Sequence, residues 1–491
     1  MSLSFNNIPI DIRTPGAFLE IDNSNAVRGL PGMPSRILVL GQRLSAGTVA
    51  EAVPTRVLNE DEAELYFGRG SMLHLMFRTL KKNNDWTETW AVALDDASGG
   101  VTAAGTVTFG DGTTAAGTLN LYIAGQRVRV AVAADDDGSD IATKVAAAIT
   151  AATDLPVTAD VNGETAEQVD ITARHKGLAG NDIDLRVNHY PDEKLPAGLT
   201  VTFAAMSSGS GNPDIADAIA VIGDQWYTDW IVPWTDASNL TALEAELVDQ
   251  FGPMTMRDGF AYTGARGTHS ALTTLGNGRN SPHLSIMGAD SAPSGPWAWA
   301  GAYGGTAAYH VKIDPARPLQ TLPLPSIIPP KVEDRFTLQE RNLLLHDGIA
   351  TFTVDDGGIV RIERAITTYQ TNAQGVADPS YLDLNTMKTL AYLRYSVRAR
   401  ILQKFPRHKL ADDGTRFGAG QAVVTPKIIR AELIALFKQW EEAGLVENVD
   451  QFKADLIVER DGSDVNRINA LIPPDIINQF RVFAGNVQFR L

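Results

Sequence analysis

Residues 339–369 change hydrophobic period partway along, and that change restricts the local fold more than any other feature of the chain. Leu338–His346 is dense in strong helix formers. Gly348 follows where a helix commonly ends in a left-handed residue, so the pattern predicts a helix that stops there. Ile349–Val354 and Ile359–Ile366 are then two β-branched and aromatic runs joined by Asp355-Asp356-Gly357-Gly358. Those glycines supply the positive φ of a tight turn, and the two runs predict a hairpin.

Elsewhere helix and strand patterns alternate. Arg36–Gly41 is a continuous apolar run, the look of a strand buried on both faces. Asn59 is placed to cap a helix carrying Asp61, Glu62 and Glu64; Met72–Leu80 predicts a second helix, and Trp86–Leu94 a returning strand. After Pro213 the alternation resumes with Ile215–Ile222, Trp226–Val232, Leu240–Phe251, Gly259–Thr263, Ser270–Leu275, Leu284–Met287 and Pro296–Tyr309. Such alternation argues for an α/β core, a mostly parallel sheet with helices on both sides. Trp226, Trp230 and Trp234 read as core or interface residues.

Between these halves the composition shifts to Ala, Thr, Gly and Asp, with short strand patterns at Gly105–Phe109, Thr118–Ile123, Gln126–Ala131, Val169–Ala173, Ile183–Val187 and Leu199–Phe203. Ala124-Gly125 reads as a two-residue hairpin link, Ser139 as the cap of an Ile141–Ala151 helix, and Ser207–Gly211 as a flexible exit linker. The chain therefore divides into an N-terminal arm (1–30), a discontinuous α/β core (31–95 and 211–370), a β-rich inserted domain (96–210), an α+β C-terminal domain (371–479) and a C-terminal arm (480–491). Length agrees, since 491 residues suggest about three domains of ordinary size.

Two features suggest partners. Ile8, Ile10 and Ile12, then Phe18, Leu19 and Ile21, lie on an extended, proline-broken segment, and Phe480, Val482, Phe483, Val487, Phe489 and Leu491 punctuate an alternating tail. Both segments read as arms able to add strands to another sheet. Separately, Asn385–Leu410 carries Lys388, Arg394, Arg398, Arg400, Lys404, Arg407 and Lys409 with no acidic residue, in a chain whose formal charge is −16. Leu390, Leu393, Val397 and Ile401 would share one helix face there, with basic residues flanking it. A better-delimited helix follows Thr425 and Pro426, with Ile429, Leu433, Phe437 and Trp440 on one face and Gly444 beyond its end; Phe452–Arg460 reads as a strand.

The net charge argues against general nucleic-acid binding, and the lack of cysteine removes disulfides, thiolate metal sites and cysteine nucleophiles. No apolar run approaches about 18 residues, and Met1–Ile21 lacks the pattern of an export signal, so neither membrane insertion nor export is expected. No pair among the eight histidines has metal-site spacing; Asp135-Asp136-Asp137-Gly138 would put Ala133 first in a calcium loop; no Gly-Lys-Ser/Thr is present. Gly267-Thr268-His269-Ser270-Ala271 matches a serine-nucleophile turn only loosely, with no partner motif. No catalytic, cofactor or metal residue is expected.

The order helix, glycine stop, Gly-Ile strand, glycine turn, Ile-x-Arg strand and Thr-Thr-Tyr exit across Gln339–Tyr369 resembles the signature of contractile phage tail sheath proteins. Arg13-Thr14-Pro15-Gly16-Ala17-Phe18-Leu19-Glu20-Ile21-Asp22-Asn23-Ser24 and Leu471-Ile472-Pro473-Pro474-Asp475-Ile476-Ile477-Asn478-Gln479-Phe480 are similar to the ends of such sheaths, the Mu-like subgroup in particular. The likeness covers nearly the whole chain outside roughly residues 96–206. It implies a subtilisin-like core, an outward-facing insertion and a tube-proximal C-terminal domain. It also implies a non-enzymatic virion subunit, assembled in the host cytoplasm as six-fold stacked rings of itself. The partners implied are the tail tube, baseplate and terminator proteins, and the work implied is contraction that drives the tube through a host envelope. On that reading the two arms exchange strands between subunits, and Lys388, Arg394, Arg398, Arg400 and Lys404 face the tube. The alternatives are the sheath of a phage-derived bacteriocin or secretion machine, and a subtilisin-like hydrolase.

Overall fold

Arg36–Gln42 has no polar face to offer water, and every residue after Arg36 is buried. The strand is flanked on both sides by parallel neighbours, Glu88–Leu94 and Asp229–Ile231. The sheet continues in parallel through Phe260–Arg266 to Leu284–Ala289, and it ends at the other edge with antiparallel Thr55–Arg56. The computed structural model describes residues 13–17, 19 and 30–490, which fall into two units. The larger is Pro34–Asp314 with Leu319–Met387; the smaller is Pro315–Pro318, Lys388 onward and the described residues up to Met33.

In the larger unit helices cover both faces of the sheet. Residues alternate sides along a strand, so Asp229 and Ile231 face one way and Trp230 the other. Pro296–Ile313 lies on the Ile231 side: a Cβ added at Gly304 would sit 2.8 Å from Ile231. Ala237–Phe251 reaches the other side, where a Cβ at Gly259 would meet Leu247 at 2.9 Å and Trp230 Nε1 at 3.2 Å. Pro296–Ile313 is apolar nearly all round, which fits a helix enclosed by the sheet below and Met72–Asn83 above. Gly301 permits that approach, since a Cβ there would lie 2.4 Å from Thr79 Oγ1 and 2.7 Å from the Met76 carbonyl.

The period-changing stretch forms the elements its pattern predicts. Thr337 and Glu340 make a reciprocal cap on the Leu338–His346 helix, Gly348 takes φ +77°, and Thr351–Val354 pairs with Val360–Arg364. Asp355 closes the turn by accepting from the amides of Gly357 and Ile359 at 3.0 and 2.9 Å. The stretch is also joined to the sheet edge. Ala350 N–H donates to Ile286 O, Gly288 N–H to Ala350 O and Thr368 N–H to Leu284 O.

Residues 102–207 build two antiparallel sheets. One orders Thr200–Ser207, Thr102–Gly110, Gln168–Lys176 and Val157–Val161; the other orders Gln126–Val132, Gly117–Ile123 and Leu185–Val187. Ala124 and Gly125 both take positive φ, as a two-residue hairpin requires. Two expectations fail here. The cap of the Gly138–Ala151 helix is Asp137, which accepts from the amides of Ser139 and Asp140, each at 2.9 Å; its carboxylate at the positive helix end outcompetes the serine two residues later. Ser207–Gly211 is also no free linker. Ser210 exchanges backbone hydrogen bonds with Val101, and Gly209 exchanges two with the Asn181 side chain.

The smaller unit has its own core of Leu393, Ile429, Leu433, Leu436, Phe437, Trp440, Phe452 and Leu456, among others. Pro426–Glu442 supplies the predicted face. Trp440 Nε1 donates to Ser396 Oγ at 2.9 Å, which places Leu384–Lys404 beside it. Phe452–Arg460 is not one strand: Val449–Asp455 is helical and only Ile457–Arg460 is extended, paired with Ile468–Leu471. Phe452 stacks on Phe437 with ring centres 4.1 Å apart, so the three-and-four spacing of Val449, Phe452 and Leu456 prevails over the alternation that begins at Phe452.

Candidate functional site

The basic helix divides its charges. Leu393 lies in the core of the smaller unit, and Val397 and Ile401 pack against that core. The flanking cations differ in where they go. Lys388 is buried, Arg394 half-buried and Arg398 exposed. Arg400 and Lys404 both turn onto Glu432 of the next helix, at 3.5 and 2.9 Å, and Arg400 also donates to Gln439. Arg400 and Lys404 are therefore partnered within the unit, and Arg398, Lys404, Arg407 and Lys409 are exposed.

The arms are where apolar surface accumulates. Phe480, Val482, Phe483, Val487 and Phe489 are 76–91% exposed, and among the described residues no strand follows Asp475–Ile476. Leu19 is likewise exposed, while Ile8, Ile10, Ile12, Phe18, Ile21 and Leu491 lie outside the described residues. The same unit holds a feature that pattern reading missed. Its Ile457–Arg460 and Ile468–Leu471 hairpin is a two-stranded sheet, so among the described residues each strand keeps one edge with no neighbouring strand. Ile457 and Leu471 on it are more than half exposed.

A second missed feature is polar. At the start of the inserted segment Asp96 accepts from Gln42 Nε2 at 2.7 Å, His175 Nδ1 at 2.9 Å and the Lys176 amide at 2.9 Å. The other ring nitrogen of His175 accepts the Met72 N–H at 3.1 Å, which puts the imidazole proton on Nδ1. Burial alone would raise the Asp96 carboxyl, but the bonds from His175, Lys176 and Gln42 outweigh it and hold the group below its ordinary value. Across the insert, Asp184 is buried between Arg186 and Arg266, the latter on a core strand at 2.6 Å. Arg186 also donates to the Ser291 carbonyl at 2.7 Å. Asp182 beside it lacks such partners, and burial pushes its carboxyl up to about 6 despite the field of Arg266. Apart from Asp184 and Arg186, which are two positions apart, the partners lie 54 to 105 positions apart, so sequence alone holds no signal for these pairings.

The loose nucleophile turn serves a structural role. Thr268 caps the His269–Asn277 helix, His269 Nε2 lies 3.2 Å from the Glu340 carbonyl, and Ser270 is exposed. Among the described residues no group of three His, Asp or Glu side chains could hold a metal ion, and no helix is long and apolar enough to cross a membrane.

Residues 208–368 match the family model for the phage tail sheath protein central domain, and residues 376–490 that for the phage tail sheath C-terminal domain. The chain is 45% identical over 491 residues, all of both sequences, to the Mu-like prophage FluMu tail sheath protein of Haemophilus influenzae. Among solved structures it is similar to a sheath tail protein from Listeria innocua (12% identity, TM-score 0.49, 92% of this chain and 94% of that one). It is also similar to one from Desulfitobacterium hafniense (12% identity, TM-score 0.48, 94% and 100%). On the full-length relationship and the two matched domains, the chain belongs to the phage tail sheath family, a family of structural proteins and not of enzymes.

Proposed function

We propose that the chain is the repeating subunit of a contractile tail sheath, stacking with copies of itself in rings around an inner tube and shortening to drive that tube through a cell envelope. One observation carries the assembly step: the smaller unit presents an apolar arm at 480–490 and, on the same unit, a hairpin with open edges. An arm of one subunit added to such an edge in the next would satisfy both backbones and cover Phe480, Phe483 and Phe489. The N-terminal arm would act likewise. The core is read as subtilisin-like, residues 96–210 as an outward-facing domain, and Arg394 and Arg398 as the part of the basic helix that meets carboxylates on the tube. Baseplate and terminator proteins would bound the assembly, and the energy of contraction would reside in a kinetically trapped extended lattice.

Deleting residues 481–491, or residues 1–21, is expected to leave a folded subunit that forms no sheath. Circular dichroism and thermal unfolding report the fold, and electron microscopy the assembly. Normal tubes from either truncation, or wholesale unfolding, would refute the linking role.

A further inference from the structure

We propose that the Thr200–Ser207 strand is an interaction edge that takes the same strand of a second copy of this chain, antiparallel and about a two-fold axis at Thr202. The strand closes one side of the four-stranded sheet and pairs only with Thr102–Gly110. Among the described residues, no backbone group of Thr200–Ala204 is hydrogen-bonded outside that ladder. The register shifts after Ala204, so the regular open edge is Thr200–Ala204.

An open edge templates another strand, and edges are normally blunted by charge, proline or brevity. The other edges within residues 102–207 follow that rule: Val157–Val161 carries Asp160 just after Pro156, Gln126–Val132 carries Arg127 and Arg129, and Leu185–Val187 is three residues long with Arg186. Thr200–Ser207 does not. Residues 195–213 hold no charged side chain, in a chain that is 20% charged with a formal charge of −16. Two copies of so acidic a chain repel one another in general, and along this strip that repulsion is least.

The strand itself specifies the partner. Pairing about Thr202 sets Thr202 opposite Thr202 of the partner subunit, Val201 opposite the partner's Phe203, and Thr200 opposite the partner's Ala204. Thr200, Thr202 and Ala204 are exposed, and the alternating Val201 and Phe203 are half-buried. The register thus gives a threonine pair flanked by two valine–phenylalanine pairs, the β-branched and aromatic matches that stabilise antiparallel sheets, and it brings no like charges together. About four to six ladder bonds would form. A ring whose members all face one way is built from unlike surfaces, so a two-fold contact lies outside it. With residues 96–210 facing outward, as proposed, the contact joins one sheath to another side by side; that placement rests on the sheath reading, whereas the pairing does not.

The test is sedimentation velocity of the full chain before tubes form, where wild type is expected to show a monomer–dimer equilibrium. Thr202→Lys and Thr202→Glu each set like charges face to face across the axis and should weaken dimerisation about tenfold or more, while an equimolar mixture of the two should recover it. Recovery requires both variants to be folded, so the mixture separates repulsion from misfolding. The chain has no cysteine, so Thr202→Cys under mild oxidation should yield a dimer linked at that position, since antiparallel partners lie about 4.5–5.5 Å apart at Cα. Wild type that is monomeric at every concentration reached, a dimer indifferent to Thr202→Lys, or a mixture no more associated than its components overturns the proposal. A chain that stays monomeric and still forms tubes overturns it and leaves the sheath reading standing, whereas dimers without tubes do the reverse.

Discussion

Asp96→Ala removes one acceptor and strands three donors. In the native fold the carboxylate takes hydrogens from Gln42, His175 and the Lys176 amide, all within 2.9 Å. Gln42 retains a bond to the Lys176 carbonyl at 2.8 Å, so its loss is partial, whereas His175 Nδ1 and the Lys176 amide have no other acceptor among the described residues. Hydrogen bonds to charged groups contribute about 1.5–3 kcal/mol each, but they are not additive. The Asp96 side chain is about a quarter exposed, so water replaces part of what is lost. A net destabilisation of about 2–4 kcal/mol follows. Urea unfolding measures it, and hydrogen exchange at the Met72 and Lys176 amides locates it. Asp96→Asn should cost less and should change the acid limb of the stability curve. Because the folded carboxyl is held below its ordinary value, its contribution is present above the ordinary carboxylate range and is lost as pH falls through the lowered value. The asparagine variant should lack that loss. A change within about 0.5 kcal/mol for Asp96→Ala, the level of an ordinary surface substitution, would refute the reasoning.

Asp182 should behave oppositely: with its carboxyl raised to about 6, the penalty of ionising it builds as pH rises from the ordinary carboxylate range through that value, so Asp182→Asn should stabilise by about 1–2 kcal/mol at pH 7.5 and by much less at pH 4. Denaturant midpoints at the two pH values check this, and equal effects at both would contradict it. Gly301→Ala should destabilise by about 2 kcal/mol by thermal unfolding, although alanine gains about 1 kcal/mol of helix propensity, because the added methyl meets Thr79 Oγ1 and the Met76 carbonyl. A more stable alanine variant would mean that the two helices shift apart freely. Trp440→Ala should cost about 3–5 kcal/mol and Ser396→Ala about 1–2, the latter from the unpaired indole N–H; parity of Ser396→Ala with wild type would show that water reaches that site.

Much of the fold was legible because its signals are local. Ile215–Ile222 between Asp214 and Gly223, and the helix-glycine-hairpin run through Gly348 and Gly358, place their own punctuation in the sequence. Val157–Val161 was missed because Pro156 and Asn162-Gly163 crowd a five-residue strand, and the Ser139 cap was misread because three consecutive aspartates offered competing candidates. The apolar tail was legible as exposed surface in waiting, since Phe480, Phe483 and Phe489 have no counterpart pattern nearby. The open-edged hairpin and the Asp96 and Asp184 clusters were not. Each depends on groups that only chain reversal brings together.

The bond pair between Val101 and Ser210 has an engineering consequence. The polypeptide departs and comes back through a single antiparallel bridge, so the ends of everything between them are already held side by side. Closure entropy grows only slowly with the number of residues enclosed. Foreign sequence exchanged for the segment beyond that bridge would find its ends already paired, but it would also remove His175, Lys176 and Asp184, so a graft spliced at Val101 and Ser210 must leave Gln42, Asp96 and Arg266 with new partners.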